Sequence, residues 1–232
     1  MAIEREKIID AALAVLNETG LDQFSTRRLA ERLGVQQPAL YWHFKSKAEL
    51  LDALNHEMLV RFHHHRVPAP KERWEDFTLA SARSFRSALL AVRDGARINA
   101  GTRPTGTEFA DYERQLELYV DAGFTAREAL NIAISITRYV VGYVLEEQGE
   151  RELAEESPEP AGDPLQAIAA FPLLTEAMRP LIRGGNINTE AVFEGGLAYM
   201  LAGMRLGLAA TAARRPARAA GAPRAPRTGA RR

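Results

Sequence analysis

The stretch that most constrains this chain is residues 26–45, TRRLAERLGVQQPALYWHFK. It places Ala30, Gly34 and Leu40 at the fifth, ninth and fifteenth positions of a 20-residue pattern. A small residue at the fifth position lets two helices approach, the glycine permits a tight turn, and the leucine anchors the second helix in a core. The spacing therefore predicts a helix-turn-helix, a unit whose second helix fits the major groove of DNA.

Positive charge is concentrated on this motif, although the chain as a whole has no net charge. Residues 26–47 contain five Arg or Lys and a single acid, Glu31. Binding to the phosphates of DNA requires such a balance. The charge alone favours a solvated charged surface, and it is the motif that favours DNA binding.

Helical periodicity dominates the rest of the chain, and we expect an all-α fold. Pro68 and Pro70 mark a boundary between two domains. The first, residues 1–65, is the helix-turn-helix DNA-binding domain, and the second, residues 66–211, is a larger helical ligand-binding and dimerisation domain. The predicted helices span about 3–18, 26–33, 37–44, 46–62, 74–92, 95–100, 106–121, 125–147, 165–178 and 188–210.

Two segments have a biased composition. Residues 148–164 are acidic and contain proline, which favours a loop. Residues 212–232 hold seven Arg and no acid among Ala and Pro, which predicts a disordered tail. The tail either adds non-specific affinity for phosphate or is a dispensable extension.

The predicted helices 125–147 and 188–210 are apolar on more than one side and rich in small residues. Small residues permit close packing of helices, and a second apolar face requires a second partner. We therefore expect these helices to form the interface of a homodimer, as reading a palindromic operator requires. The internal core of a monomer is the alternative.

Several classes of protein are disfavoured. The chain has no cysteine, which excludes disulfides and thiolate metal sites. Its charged N-terminus is unlike a signal peptide, and no apolar run approaches the roughly 20 residues that span a bilayer. Consecutive His63, His64 and His65 point about 100° apart on a helix and cannot converge on one ion. Without a nucleophile elbow or a phosphate loop, we expect that the protein is not an enzyme and requires no cofactor. The absence of cysteine and of a signal peptide fits a cytoplasmic location.

Residues 1–210 resemble the TetR family of repressors, and the tetracycline-repressor class in particular. STRRLAERLGVQQPALYWHFKSKAELLDAL is similar to the DNA-binding domain of that class. SFRSALLAVRDGARI, GTRP and VLEEQ follow in the order and spacing of its C-terminal domain. The resemblance implies that a homodimer binds operator DNA and that a small-molecule inducer releases it, by moving the helix 47–62 through the short helix 95–100.

The resemblance also implies which residues contact DNA. Arginine suits guanine and glutamine suits adenine, while hydroxyl, imidazole and ammonium groups suit phosphates. Partial burial of Tyr41 or Trp42 in the core is the alternative for those two residues. The residues assigned to DNA contact are Thr26, Arg27, Gln37, Pro38, Ala39, Tyr41, Trp42, His43 and Lys47.

The resemblance extends to the effector pocket, with two departures. Ser81 stands where the class has an asparagine that grips the drug, and Asn99 stands where it has the histidine that ligates the drug-bound magnesium. An amide oxygen replaces imidazole poorly in that role, although magnesium does accept oxygen ligands. The residues assigned to the pocket are His63, Ser81, Phe85, Asn99, Thr102, Arg103, Pro104, Gln115 and Glu146.

The two departures disfavour high-affinity binding of a tetracycline–magnesium complex, and the retained pocket residues favour a related planar aromatic, polyketide-like inducer. Magnesium is then expected only if the inducer is a metal-chelated tetracycline. Two alternatives stay open: a true tetracycline–magnesium responsive repressor of an efflux gene, and a DNA-binding protein that responds to no ligand.

Overall fold

Helices make up most of the described residues, as the sequence predicts. The computed structural model describes residues 3–102, 106–156, 163–183 and 186–214. A 3-10 turn over Arg179–Leu181 and a two-stranded antiparallel pair, β1 (Ile182–Arg183) with β2 (Asn186–Ile187), precede the last helix. The helices are α1 (Arg5–Gln23), α2 (Thr26–Leu33), α3 (Pro38–Tyr41), α4 (Lys47–Phe62), α5 (Trp74–Leu90), α6 (Gly95–Gly101), α7 (Gly106–Ala122), α8 (Ala126–Glu156), α9 (Pro164–Ala167), α10 (Pro172–Met178) and α11 (Thr189–Arg214).

The predicted helix-turn-helix is formed by α2 and α3. The Arg28 N–H donates to Ser25 Oγ (3.2 Å), which caps the start of α2. Gly34 ends α2 in the left-handed region with φ 66°, a conformation that glycine adopts without steric cost. Ala30 and Leu40 are buried, as their positions in the motif require. The second helix ends at Tyr41, earlier than the predicted residue 44.

Helix α4 connects the DNA-binding part of the chain to the rest. It begins after Ser46, whose Oγ accepts the Glu49 N–H (3.1 Å), and Glu49 in turn accepts the Lys45 N–H (2.7 Å). Near its other end, Arg61 pairs with Asp10 of α1 at 2.6 Å. One continuous buried cluster extends from α1–α4 into α5, α6, α8 and α11, so both ends of α4 lie against the same core.

Two predicted boundaries are wrong. The predicted loop over 148–164 is helical as far as Glu156, because its Glu, Arg, Leu and Ala residues are good helix formers. The predicted helix over 165–178 is interrupted at Phe171, which has φ −116° and ψ 90° because Pro172 disfavours a helical conformation of the preceding residue. Residues 157–162, and residues 215–232 of the predicted tail, lie outside the described part of the chain.

Helix α11 is only partly covered by the rest of the protein. Phe193 and Leu197 are buried, and Glu194 forms a bidentate ion pair with Arg83 of α5 (both contacts 2.6 Å). Tyr199 and Leu206, in contrast, are 84% and 73% exposed. By length and composition alone Thr189–Ala213 is apolar enough to cross a bilayer, which the sequence analysis did not anticipate.

Candidate DNA-binding surface and ligand pocket

The nine residues predicted to contact DNA lie on three neighbouring segments: the start of α2, the region of α3, and the start of α4. None of them is buried. Trp42 is 90% exposed and Tyr41 is 46% exposed, whereas Leu40 and Phe44 fill the core behind them. The exposure of the two rings argues against a core role and leaves them accessible to a DNA groove.

Internal contacts hold several of these side chains in place. Gln37 Nε2 donates to Thr26 Oγ1 (2.8 Å), which joins the start of α2 to the start of α3. Lys47 Nζ donates to the carbonyl of Phe24 (2.8 Å) while its side chain stays exposed. Because a carbonyl does not neutralise the ammonium group, the charge of Lys47 stays available to a phosphate.

Two adjoining cavities lie between α4, α5, α6, α7 and α8. Their volumes are about 100 and 570 Å³, and both are lined by Leu59, Asn99, Glu108, Tyr112 and Thr137. The walls are mixed, with aromatic and apolar side chains beside a limited number of polar groups, as is usual for sites that bind small molecules. Of the predicted pocket residues, the cavities bring together His63, Ser81, Phe85, Asn99, Thr102 and Gln115.

His63 lies at the end of α4 against the aromatic wall. Its ring is 5.4 Å from that of Phe85, and its Nδ1 is 3.0 Å from Ser84 Oγ. Burial is the main reason why the pKa of His63 falls to about 3, and the nearby Arg66 lowers it further. At neutral pH His63 is therefore an uncharged group with one donor and one acceptor nitrogen.

Two pocket amides are held by hydrogen bonds. Gln115 Nε2 donates to the backbone carbonyl of Arg66 (2.7 Å), which fixes α7 to the segment after α4. Asn99 Nδ2 donates to Asn55 Oδ1 (3.0 Å), which fixes α6 to α4. Because each amide is restrained by a neighbouring element, the polar groups of the pocket are positioned before a ligand binds.

The remaining predicted pocket residues are placed differently. Glu146 is exposed on α8 and lines neither cavity. Arg103 and Pro104 lie outside the described residues. Among the described residues no group of three His, Cys, Asp or Glu could hold a metal ion, and His65 pairs with Glu72 (2.8 Å) instead of joining its histidine neighbours.

Sequence reasoning missed much of the wall contributed by α4, α7 and α8. Buried or half-buried polar positions on these helices were the available signal, but burial is not visible in a single sequence. Tyr112 is an example: desolvation and the nearby Glu108 and Asp111 raise the pKa of its phenol. The missed polar residues of the walls are Asn55, Arg66, Thr78, Glu108, Asp111, Tyr112, Tyr119, Thr137 and Arg138.

Comparison with known proteins matches both parts of this architecture. Residues 8–54 match the model described as "Bacterial regulatory proteins, tetR family", and residues 67–207 match "Tetracyclin repressor-like, C-terminal domain". The chain is 47% identical over 204 residues to the class C tetracycline repressor of Escherichia coli, covering 87% of this chain and 90% of that protein.

Two solved structures show the same likeness. A class A TetR in complex with 5a,6-anhydrotetracycline and magnesium is 40% identical, with a TM-score of 0.67 over 92% of this chain and all of that one. ActR of Streptomyces coelicolor in complex with (S)-DNPA is 27% identical, with a TM-score of 0.71 over 89% of this chain and 99% of that one. The chain therefore belongs to the TetR family of ligand-responsive transcriptional repressors.

Proposed function

We propose that the inducer of this repressor is a planar, oxygen-rich aromatic compound of the polyketide type. The observation that carries the proposal is the character of the two adjoining cavities. Phe85 and the uncharged ring of His63, tilted by 33° to each other, offer an aromatic wall. Ser81, Asn99 and Gln115 offer hydroxyl and amide groups that suit carbonyl and hydroxyl oxygens.

The pocket supports an inducer that needs no magnesium. Asn99 stands where tetracycline repressors are expected to have the histidine that ligates magnesium, and its amide nitrogen is bonded to Asn55, so Oδ1 is the one atom of its amide that could reach an ion. Ser81 offers a single hydroxyl in place of an amide. Among the described residues, no group of three His, Cys, Asp or Glu could hold the ion without ligands from the inducer.

A tetracycline–magnesium complex is the second candidate. It is favoured by the 46–47% identity to class A and class C tetracycline repressors and by the likeness to a class A repressor that holds anhydrotetracycline and magnesium. In that case the chain is expected to control an efflux gene.

The exposed apolar surface supports a homodimer. The cytoplasmic location is proposed because the repressor must reach DNA. Leu130 and Ile134 of α8 and Tyr199 and Leu206 of α11 are exposed although they are apolar or aromatic. Large apolar side chains left exposed on two helices support an interface with a partner. Burial of Phe193 in the protein core and pairing of α11 with α5 favour a dimer bundle over a membrane span for this helix.

One titration tests the proposal. The operator is first obtained by letting the full chain select a palindromic site from random DNA. Fluorescence anisotropy then measures release of that site by two probes, daunomycinone, which is an anthracycline aglycone, and 5a,6-anhydrotetracycline. Each probe is tested with magnesium and with EDTA. We expect a probe to weaken operator binding about 30- to 150-fold in EDTA, equivalent to a coupling of about 2–3 kcal/mol. Release that requires magnesium supports the tetracycline candidate, and no release by either probe contradicts the inducer class.

A double substitution provides a variant with the pocket side chains expected of tetracycline repressors, for comparison with the unsubstituted protein. Ser81→Asn combined with Asn99→His restores the two side chains that the tetracycline-repressor class is expected to have. We expect this variant to gain magnesium-dependent release by anhydrotetracycline while its affinity for the selected operator stays within about twofold of the original, because neither residue lies near α3. An unchanged response to magnesium would show that these two positions do not set the choice of inducer.

A further inference from the structure

Asn55 is a buried amide in the middle of the helix that joins the pocket to the DNA-binding domain. Its side chain is only 6% exposed, and it lines the larger cavity. A buried amide is costly unless it is hydrogen-bonded, so its partner is informative. That partner is Asn99, whose Nδ2 donates to Asn55 Oδ1 at 3.0 Å.

Asn99 is the point at which a ligand meets α6. Its side chain lines both cavities. Its backbone carbonyl accepts the N–H (3.3 Å) and the hydroxyl (3.1 Å) of Thr102, which closes the C-terminal end of the helix. A molecule that rearranges Asn99 therefore acts on the contact with α4 and on the end of α6 together.

The other end of α6 is held by close packing. A Cβ atom on Gly95 would lie 2.2 Å from the Leu89 carbonyl oxygen and 3.1 Å from Met58 Sδ. The Ala96 N–H donates to Gln148 of α8 (3.3 Å). Among the described residues, the Asn55–Asn99 bond is the one side-chain hydrogen bond between α4 and α6. The Asn99 end is thus the part of α6 whose attachment to α4 depends on a single polar contact.

Helix α4 transmits a change at Asn55 to the DNA-binding surface. Its first residue, Lys47, is bonded to the turn before α2 through the Phe24 carbonyl. Further along, Arg61 is paired with Asp10 of α1. Because both contacts fasten α4 to the DNA-binding helices, a displacement of α4 moves the helix-turn-helix with it.

We propose that Asn55 is a positioning residue of the switch, which accepts the Asn99 amide in the operator-binding form and loses it to the inducer. An inducer of the proposed class presents a carbonyl or hydroxyl oxygen to Asn99. That oxygen accepts the hydrogen bond of Asn99 Nδ2 in place of Asn55 Oδ1. This inference rests on the proposed function, since it assumes that the inducer occupies the two cavities. Because the inducer must break the bond, removing the bond beforehand makes release easier.

Two substitutions of similar size separate the effect of the hydrogen bond from the effect of side-chain volume. Asn55→Leu removes the acceptor, and we expect the probe concentration that releases half of the operator to fall about 3- to 10-fold, the range for the net contribution of one hydrogen bond. Asn55→Asp keeps an oxygen that accepts from Asn99, now in a charge-assisted bond, and we expect its half-release concentration not to fall below that of the unsubstituted protein. Val60→Ala, at an exposed position of α4, is the control.

The measurement uses the full chain, its selected operator and whichever of the two aromatic probes releases the unsubstituted protein. Thermal unfolding midpoints are recorded in parallel; if Asn55→Leu does not fold, Asn55→Ala replaces it. If Asn55 only stabilises the fold, the substitutions change the unfolding midpoints, but Asn55→Leu and Asn55→Asp have the same half-release concentration. That result overturns the inference. If neither probe releases the unsubstituted protein, the proposed inducer class fails and this inference fails with it.

Discussion

His63 shows how burial sets the chemistry of a single pocket residue. The lowered pKa of about 3 means that the folded protein holds this ring neutral, while the unfolded chain protonates it near pH 6.5. Between these values the unfolded state binds more protons, so the free energy of unfolding rises with pH and falls as the solution is acidified. Between pH 7 and pH 5 we expect the free energy of unfolding of the unsubstituted protein to fall by about 1–2 kcal/mol more than that of His63→Gln.

Urea denaturation at the two pH values measures this difference. His64→Gln is the matched control, because His64 is the exposed neighbour of His63. Equal losses in the original protein and in His63→Gln would mean that the ring is protonated in the folded state and carries a charge into the pocket.

Single residues also mark what the sequence could and could not predict. Ala30, Gly34 and Leu40 were predictable because the motif is local, with all three inside one 20-residue stretch. The burial of Ala30 and Leu40 and the conformation of Gly34 confirm the motif. Asn55 was not predictable, because its partner Asn99 is 44 positions away and an asparagine in a helix is usually a surface residue.

At the level of the helices, Gly34 determines how α2 ends and α3 is placed. Its φ of 66° lies in the left-handed region, and no atom lies within 4 Å of a Cβ built on it. The cost of Gly34→Ala is therefore one of backbone conformation, and we expect a loss of about 1–2 kcal/mol of unfolding free energy. Gly34→Asn should lose less, because asparagine tolerates this region better.

Gly149 on α8 provides the contrast for this prediction. It also has open space around its Cβ position, but its backbone has no positive φ. Gly149→Ala should therefore gain about 0.5–1 kcal/mol from helix propensity. Urea denaturation of the three variants compares them, and a Gly34→Ala protein as stable as the original would mean that the turn adopts another conformation.

A buried ion pair fastens α5 to α8. Arg86 donates to both oxygens of Glu147 at 2.5 and 2.9 Å, and Glu147 is 6% exposed. Glu190 of α11 also accepts from Arg86, and the guanidinium lies 4.9 Å from the ring centre of Phe193. Removing one partner of a buried pair leaves the other charge uncompensated.

We expect Glu147→Gln to lower the free energy of unfolding by about 2–3 kcal/mol, somewhat below the usual cost because Glu190 still pairs with Arg86. Glu150→Gln, at an exposed position of the same helix, should change it by less than about 0.5 kcal/mol. Thermal or urea unfolding decides between these values. Similar losses in both variants would show that helix propensity, and not the ion pair, accounts for the effect.

At the scale of the whole molecule, the exposed side of α11 is a surface of the described residues that the fold does not explain. Tyr199 and Leu206 lie there with most of their area in contact with solvent, on a helix rich in apolar residues. Composition predicted this helix and its two-sided character, but the partner of its second face could not be identified from a single chain. A second copy of the chain is the partner that operator recognition requires, since two recognition helices must reach two half-sites.

Tyr199→Glu tests this requirement at the level of the assembly. A carboxylate buried in a helix bundle without a partner is costly, so we expect the variant to be monomeric at concentrations where the original is a dimer in sedimentation velocity. Its affinity for the palindromic operator should fall at least about tenfold, because each half-site is then bound independently. Val120→Glu, which places the same charge on the exposed part of α7, should remain dimeric and bind normally. A Tyr199→Glu protein that stays dimeric with full operator affinity would place the interface elsewhere, and the exposed face of α11 would then need a different partner.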